Sequence, residues 1–483
     1  MSAIPPGEES PDAGTRGQPD TSALFGRGLL YVVVASLQIV TGALVSPILA
    51  HTLADPAQFG RLSSAIALHQ LLVVFAVVGL DQAIELRRAQ QGHDRDARAL
   101  VFSAVVLAAV VTGILWLTQR WWATALGFAP SSQLVAATIV WTLPAAAVMV
   151  LLAQLLSSDR LRDYSWVSLV AAVGGQVVGV ALVFAVEPSA RTYAWGLVAA
   201  DTVAAAIGWY LVRPSWRRSL SWPLLGPTLA FSLPLMLGSL STFVLNAGDR
   251  IILQRLLGPA EVGRYQVAYT VGFVAVQLIV LTSSSWTPRF AAVKDELARW
   301  RLINRSRDLL YTVLAPVLIG LVLGAPVLLR VVAPASFQPG ALLPVVFLVV
   351  VSAYPVAALG ATGRFLVTQG RSRPLALCTA LAAVVNVGLN LVLVPVLGIA
   401  GAAVATVFAY SSQALGQRIA VGQPDLRPRT PTRVLVLSAV AVLAAGATIW
   451  LPQSEPWNVA KFVLGLACLP WFWRRLQRAR HEG

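Results

Sequence analysis

Apolar runs of about twenty residues recur along almost the whole chain, and each is long enough to cross the hydrocarbon core of a bilayer. Of the 483 residues, 57% are hydrophobic and only 12% are charged, whereas charged residues make up about 25% of a soluble globular domain. Lipid must therefore be the solvent for most of the chain. The sequence predicts an all-α, polytopic membrane protein.

The charge-poor stretches predict fourteen transmembrane helices in two six-helix halves and a C-terminal pair. The first half has helices near residues 26–50, 62–81, 99–118, 134–157, 164–186 and 193–212. The second half has helices near 227–252, 265–288, 309–331, 341–362, 374–395 and 399–420, and the pair lies near 434–451 and 457–473. We divide the chain into residues 1–22, 23–213, 214–422 and 423–483. The first segment is rich in Pro, Gly, Ser and acidic residues, which predicts a disordered tail.

The distribution of Lys and Arg predicts the orientation of the helices, because cytoplasmic loops are enriched in both residues. With both termini inside, 28 of the 36 basic residues fall in cytoplasmic segments. The other eight are Arg61, Arg120, Arg191, Arg250, Arg255, Arg264, Arg330 and Lys461. The net charge of +15 is spread in short clusters between apolar runs, which argues against a nucleic-acid partner. We expect a multi-pass protein of the plasma membrane with cytoplasmic termini.

A short sequence repeat relates the two halves. Leu53–Arg61 (LADPAQFGR) and Leu256–Arg264 (LLGPAEVGR) share Leu, Pro, Ala, Gly and Arg in register, and each links the first helix of a half to its second. Two halves of equal, even helix number indicate a parallel repeat about the membrane normal, with a central cavity between the halves. We interpret each segment as a tight extracellular turn, in which Pro begins the turn and Gly lets the chain reverse.

Several segments resemble bacterial polysaccharide flippases of the multidrug/oligosaccharidyl-lipid/polysaccharide exporter superfamily. The stretch from Phe231-Ser-Leu-Pro234 through Asn246-Ala-Gly-Asp-Arg250 to Tyr265-Gln-Val-Ala-Tyr269 is similar to their seventh and eighth helices. Further matches are Leu53 to Gly60, Gly363-Arg364 with Gly370-Arg-Ser-Arg-Pro374, and Asn386-Val-Gly-Leu-Asn390 through Gly401 to Thr406. The resemblance covers helices one to twelve, and the order of the motifs is its most specific part.

The resemblance implies a transporter that flips polyprenyl-pyrophosphate-linked saccharides to the outer leaflet by alternating access, for cell-surface polysaccharide assembly. It also implies a polysaccharide polymerase and glycosyltransferases as partners. The alternative is a multidrug or other small-molecule antiporter of the same superfamily. Helix one lacks the acidic residue expected of multidrug cation antiporters and the basic residue found mid-helix in lipid II flippases.

Other classes of protein fit the sequence less well. The chain has no Gly-rich phosphate loop ending in Lys-Ser/Thr and no His/Cys/Asp metal cluster, so we expect neither enzymatic activity nor a cofactor or metal. A major facilitator has a G-x-x-x-D-R-x-G-R-R pattern after its second helix. This chain has GLDQAIELRR at Gly79–Arg88 instead.

Polar side chains within the predicted spans are candidates for function, because a charge at the bilayer centre costs about 2.5–3.5 kcal/mol. Asp201 is either a coupling carboxylate or a structural one that bonds to Gln176. Asp81 and Glu85 share one helical face with Arg88, as a gate or as an interfacial salt-bridge cluster. The remaining candidates either line a wet cavity or join helices by hydrogen bonds, and they are Gln38, His69, Gln70, Asn246, Gln277, Asn386 and Asn390.

Asp249 and Arg250 form the most informative charged pair. Adjacent residues on a helix point about 100° apart, so we expect the two not to pair with each other. In one arrangement Arg250 faces the cavity as a fork for the substrate pyrophosphate, while Asp249 pairs with a neighbouring helix. In the other, helix seven ends near Asn246 and both charges are solvated in a loop. The sequence leaves both arrangements open.

The segment Arg289–Asp308 places Phe290, Val293, Leu297, Trp300 and Ile303 at spacings of three and four, between basic residues. This pattern is typical of an amphipathic helix on the anionic inner leaflet, although the segment can also be a plain connector. Anionic membrane lipids are therefore expected partners.

The charge distribution yields a test of topology. Single cysteines placed in Arg289–Arg307 should be protected from a membrane-impermeant thiol reagent added outside intact cells, because that loop is predicted to be cytoplasmic. Cysteines near Pro56 and Pro259 should react. Labelling in the opposite sense would refute the orientation.

Overall fold

Helices make up nearly all of the chain that the structure describes. The computed structural model describes residues 37, 40–91, 94–130, 132–217, 219–284, 290, 292–422 and 429–482. These ranges contain no β-strand. The helices of the first half are α1 (Val40–Leu53), α2 (Pro56–Val77), α3 (Leu80–Gln91), α4 (Asp94–Ala125), α5 (Gln133–Ser157), α6 (Leu161–Ala185) and α7 (Ala190–Val212).

The second half and the C-terminal pair continue the same architecture. Their helices are α8 (Trp222–Leu256), α9 (Pro259–Ser284), α10 (Glu296–Val332), α11 (Pro339–Thr368), α12 (Ser372–Leu397), α13 (Ile399–Ala420), α14 (Thr432–Thr448) and α15 (Glu455–Glu482). Helix α9 packs on α2 of the first half as well as on α10 and α11 of its own half. Helices α14 and α15 pack on α10.

Among the described residues, eleven helices are long and apolar enough to cross a membrane, namely α2 and α4 to α13. Helices α1 and α14 are shorter apolar helices. The chain is thus an all-α, polytopic membrane protein, as the sequence predicts. The count of fourteen spans and the domain boundaries remain predictions, and the first part of the helix predicted over 26–50 lies outside the described residues.

Most helices extend beyond their predicted bounds, because hydropathy marks only the part of a helix that lies in lipid. The second span differs in kind. A single helix is predicted over 62–81, but α2 ends at Val77 and α3 starts at Leu80. Val78 and Gly79 between them both have positive φ angles, of 55° and 72°. A Cβ on Gly79 would lie 2.6 Å from the carbonyl oxygen of Ser232 in α8, so glycine permits both the bend and this close contact.

The two repeated segments pack against each other where the halves meet. Gly60 lies within α2 and Gly263 within α9, so the prediction that these glycines reverse the chain is wrong. A Cβ on Gly60 would overlap the carbonyl oxygen of Pro259, and one on Gly263 would overlap that of Pro56. The glycines therefore let the two helices touch backbone to backbone. The contact is reciprocal, as expected of two related halves.

Each repeated segment uses its proline at the start of a helix. Pro56 and Pro259 are the first residues of α2 and α9, where the missing N–H of proline costs no helical hydrogen bond. Asp55 caps α2 by accepting a hydrogen bond from the backbone N–H of Ala57. The prolines thus begin helices, not the turns in which they were expected.

The amphipathic surface helix predicted over Arg289–Asp308 is also wrong for its described part. From Glu296 onward this segment forms the first turns of α10, which begins at an Asp295 cap. Trp300 packs on Phe365 with ring centroids 4.1 Å apart. Three of the five apolar residues, Phe290, Trp300 and Ile303, are covered by protein, whereas Leu297 is exposed. The buried cluster also contains Ala361, Phe365, Leu366 and Val421. Residues 285–289 and 291 lie outside the described part, and a lipid partner stays a prediction.

The reciprocal glycine contact predicts the effect of adding one methyl group. Gly60→Ala and Gly263→Ala should each separate α2 from α9 at the predicted outer end, because no space exists for a Cβ. A cysteine at Ser63, which lies one turn further in, reports the separation. In a background without Cys378 and Cys468, its labelling by an impermeant maleimide from outside should become faster in both variants.

Gly238→Ala is the matched control, since a Cβ at this helical glycine of α8 meets no atom within 4 Å. It should leave the labelling rate unchanged. If Gly60→Ala and Gly263→Ala label no faster than this control, the contact does not close the outer end.

Candidate functional site

A cavity of about 680 Å³ lies between the two halves. Its wall comes from α1, α2, α6 and α7 of the first half and from α8 and α9 of the second. Phe59 and Leu62, on either side of the Gly60 contact, line one end. Along α9 the wall runs from Gln266 to Leu281, about 22 Å at 1.5 Å per residue. The cavity therefore starts beside the contact of Gly60 with Gly263, at the predicted outer end, and extends toward the predicted inner side.

Arg250 reaches this cavity from a locally widened part of α8. A π-helical turn, Val244–Gly248, precedes it, and such turns are frequent at functional sites. The Arg250 side chain is only 8% exposed. Its Nη1 donates to the carbonyl oxygen of Asn246 in the π turn at 2.7 Å, and its Nε donates to Gln266 Oε1 of α9 at 3.1 Å. The guanidinium is thus held between α8 and α9.

Asp249 neutralises this guanidinium. Its Oδ1 accepts a hydrogen bond from Arg250 Nη1 at 2.7 Å, and its Oδ2 accepts one from the Tyr265 hydroxyl at 2.5 Å. Asp249 was expected to pair with a neighbouring helix, and its partner there is Tyr265 of α9. The expectation that adjacent residues do not pair is wrong, because the long arginine side chain folds back toward Asn246 and passes the carboxylate.

The alternative in which helix seven ends near Asn246 and both charges are solvated in a loop is wrong as well. Helix α8 continues to Leu256, and both Asp249 and Arg250 are buried. Hydrogen bonds and the neighbouring charge replace water around each group, and they offset the desolvation cost of burying the pair. Of the two arrangements left open by the sequence, the structure has the one with Arg250 facing the cavity.

One edge of the guanidinium remains open to the cavity. Arg250 lies over the ring of Tyr269 at 4.1 Å from its centroid, a cation–π contact that fixes its plane. The hydrogen bonds to Asn246, Asp249 and Gln266 are donated by Nη1 and Nε, so Nη2 takes no part in these three contacts. An arginine has five N–H donors, and the two on Nη2 are the ones that these three contacts do not use.

The rest of the wall combines polar and apolar side chains. The polar residues of the wall are Gln70, Gln176, Gln266, Thr270 and Gln277, of which Gln266 contacts Arg250 and Gln277 lies further along α9, between Val274 and Leu278. Tyr269 and Phe273 stack with centroids 4.9 Å apart. The opposite end of α9 contributes Val274, Leu278 and Leu281. The cavity thus suits an amphipathic ligand with an anionic or hydroxyl-rich part near Arg250.

The predicted site residues are brought together only in part. Arg250 and Gln277 line the cavity, whereas Gln38 lies outside the described residues. Asn386 is not in the cavity wall: it is buried, and its side-chain and backbone oxygens accept from Asn390 Nδ2 at 3.1 and 2.8 Å. Asn246 supports Arg250 through its carbonyl, while its side chain accepts from the Tyr410 hydroxyl at 3.1 Å.

Asp201 belongs to a separate, partly buried group in the first half. Its Oδ2 accepts a hydrogen bond from Trp141 Nε1 at 2.6 Å, and Trp141 stacks on His69 with centroids 3.4 Å apart. The predicted partner Gln176 instead accepts from the Tyr193 hydroxyl. Asp201 therefore joins α7 to α5, and a coupling role for it stays a prediction.

Asp81 and Glu85 lie on α3, beyond the break that follows α2. Both are partly buried and one helical turn apart. The side chain of Arg88 lies outside the described residues, so the predicted salt-bridge cluster and the alternative gate both stay predictions.

Sequence reasoning missed Tyr265, Gln266 and Tyr269. A signal for them was present in α9, where Tyr265, Tyr269 and Phe273 follow at intervals of four and Gln266, Thr270 and Gln277 share the neighbouring face. An aromatic ladder beside a polar stripe within one apolar span indicates a wall that faces a cavity instead of lipid.

Two helical halves that enclose a polar cavity within a polytopic membrane protein define a transporter-type fold. The chain belongs to the polysaccharide biosynthesis protein family, whose model matches residues 26–294, more than half of the chain. The family predicted from the sequence motifs is thereby confirmed. A comparison with curated proteins finds no significant match.

Solved structures share the fold. The lipid II flippase MurJ in an inward closed conformation has a TM-score of 0.74 at 12% identity, covering 93% of this chain and 99% of that chain. An inward-facing multidrug resistance MATE family transporter of the MOP superfamily has a TM-score of 0.62 at 15% identity, covering 83% and 96%. A MOP superfamily transporter from Pyrococcus furiosus has a TM-score of 0.54 at 16% identity, covering 85% and 94%.

The geometry of Arg250 predicts that lysine cannot replace it. Asn246, Asp249 and Gln266 already occupy three donors, and a lysine ammonium has only three. Loss of the ligand-facing, charge-assisted hydrogen bond costs about 1.5–3 kcal/mol. Arg250→Lys should therefore lower transport by at least about ten-fold at equal protein level, although the charge is retained.

Arg255→Lys is the control for Arg250→Lys, because Arg255 lies on the same helix but is exposed. It should transport normally. If Arg250→Lys and Arg250→Ala both transport normally at normal protein levels, Arg250 has no role in binding the ligand.

Proposed function

We propose that this protein flips polyprenyl-pyrophosphate-linked saccharides from the inner to the outer leaflet, for the assembly of cell-surface polysaccharide. The observation that carries the proposal is the position of Arg250: it lines a cavity between the two halves, and its contacts to Asn246, Asp249 and Gln266 leave Nη2 unused. A fixed guanidinium with open donors binds phosphate oxygens through charge-assisted hydrogen bonds. Family membership and the fold of a lipid II flippase support the same substrate class.

In this proposal each part of the cavity contacts one part of the substrate. The pyrophosphate accepts hydrogen bonds from Arg250 Nη2, while Asp249 keeps the guanidinium oriented. The side chains of Gln70, Gln176 and Gln277 hydrogen-bond to sugar hydroxyls. The apolar end of α9 faces the start of the polyprenyl chain, whose remainder stays in lipid. No covalent bond is made or broken, so we infer that the protein is not an enzyme and needs no cofactor.

Alternating access requires that the cavity close on one side before it opens on the other. The reciprocal contact of Gly60 and Gly263 closes the predicted outer end, and separation of α2 from α9 there releases the substrate outward. We propose that the substrate enters from the inner side, with both termini in the cytoplasm. A polymerase and glycosyltransferases would act before and after this step.

The second candidate function is export of small organic cations, as in a multidrug antiporter. The MATE-like fold and the stacked Tyr269 and Phe273 in the cavity favour it, since aromatic faces attract cations. Arg250 opposes it, because a fixed guanidinium in the same wall repels a cationic ligand.

Deletion of the gene separates the two functions. In the host, loss of the flippase should trap lipid-linked saccharide in the inner leaflet and reduce surface polysaccharide. Wild-type protein should restore both, and Arg250→Ala should not. Unchanged surface polysaccharide with raised sensitivity to cationic drugs would refute the flippase and support the antiporter.

A further inference from the structure

A second cavity, of about 530 Å³, lies within the second half, between α8, α11, α12 and α13. Its wall includes Arg364, Thr379, Tyr410, Gln413 and Gln417. It does not share these residues with the central cavity. The π turn of α8 separates the two, since Asn246 lines the second cavity while its carbonyl oxygen accepts from Arg250 in the first.

Arg364 lies in this wall, and no described residue supplies a counter-charge to it. It is partly buried, and its Nη2 donates to the hydroxyl oxygen of Ser283 at 2.8 Å. In the part of the chain that the structure describes, no carboxylate lies within ion-pair distance of its guanidinium. An arginine stays charged in any protein environment. Because a partly buried charge is stabilised by a counter-charge, this position favours an anion.

Gln417 adds an unused acceptor to the same cavity. Its side chain is buried at 1% exposure, and its Oε1 accepts no hydrogen bond from any described residue. Leaving a buried acceptor unpaired is costly, so the position favours a ligand that donates a hydrogen bond. The next polar pair is already satisfied, with Gln413 Nε2 donating to Thr379 Oγ1 at 2.9 Å.

We propose that the second cavity binds a phosphate group that carries a hydroxyl, either on the phosphorus itself or on an ester substituent. Arg364 donates to the phosphate oxygens, and Gln417 Oε1 accepts from the hydroxyl. Gln417 lies one turn from the end of α13 and Arg364 one turn from the end of α11. Both ends are predicted to be cytoplasmic, so the ligand enters from the inner leaflet or from solution.

Two sources carry this chemistry: the headgroup of an anionic glycerophospholipid such as phosphatidylglycerol, or a free phosphate. The full-length protein, purified in neutral detergent and stripped of lipid, separates them. Its unfolding midpoint is followed while inorganic phosphate, phosphatidylglycerol or phosphatidylcholine is added. A saturable rise with phosphate identifies the free anion, and a rise with phosphatidylglycerol alone identifies the headgroup.

Arg364→Gln should raise the concentration needed for half of this shift by at least about ten-fold, because a charge-assisted contact is lost. Arg301→Gln is the matched control. Arg301 is an exposed arginine of α10 on the same predicted side, so this change removes the same charge without touching the cavity. It should leave the titration unchanged.

Gln417→Glu keeps the proposal testable if Arg364→Gln fails to fold. A carboxylate at this position supplies the missing counter-charge and repels an anion, so the unliganded protein should stay folded while the shift disappears. The proposal is overturned if the wild-type protein responds to neither probe, if phosphatidylcholine acts as strongly as phosphatidylglycerol, or if the folded variants of Arg364 and Gln417 titrate like the wild type.

Discussion

A guanidinium in the interior of a membrane protein has to be neutralised and hydrogen-bonded where it stands, because no bulk water is available to solvate it. Arg250 meets this requirement through Asp249 on its own helix, Gln266 and Tyr269 on α9, and the carbonyl oxygen of Asn246. Tyr265 completes the group by donating to Asp249. These contacts fix the relative position of α8 and α9, and α9 is also the helix that packs on the first half. One satisfied ion pair therefore sets the geometry of both the cavity wall and the interface between the halves.

The order and class of the helices were predictable, because apolar length alone dictates which segments lie in lipid. The helices 134–157 and 399–420 were placed within a residue of α5 and α13. Departures from regular helix were not predictable from hydropathy. The break at Val78–Gly79 and the π turn at Val244–Gly248 depend on close contacts and side-chain bonds with other helices. The same limitation explains the wrong expectation for Asp249 and Arg250, since Cβ directions ignore the reach of a long side chain.

Composition also could not tell a lipid-facing amphipathic face from a protein-facing one. The pattern of Trp300 and Ile303 suits either environment, and tertiary packing on Phe365 decides between them. The central site shows the opposite case. Arg250 was identified because a charge in an apolar span is conspicuous, whereas Tyr265 and Tyr269 were missed because aromatic residues are ordinary in such spans. A residue type that is rare in membrane spans thus identifies the site from sequence, whereas the common residue types that surround it do not.

The contact between Gly60 and Gly263 has a consequence for the origin of the fold. Each glycine meets the proline carbonyl at the start of the other's helix, so the two surfaces are copies of one another. A contact of this kind is isologous, and it is the type that a symmetric dimer forms with a single surface. A free-standing six-helix half carrying this segment would already be complementary to a second copy of itself. Fusion of two copies of such a gene would then give a protein whose halves already pack on each other. The residues that line the cavity could afterwards diverge separately in each half.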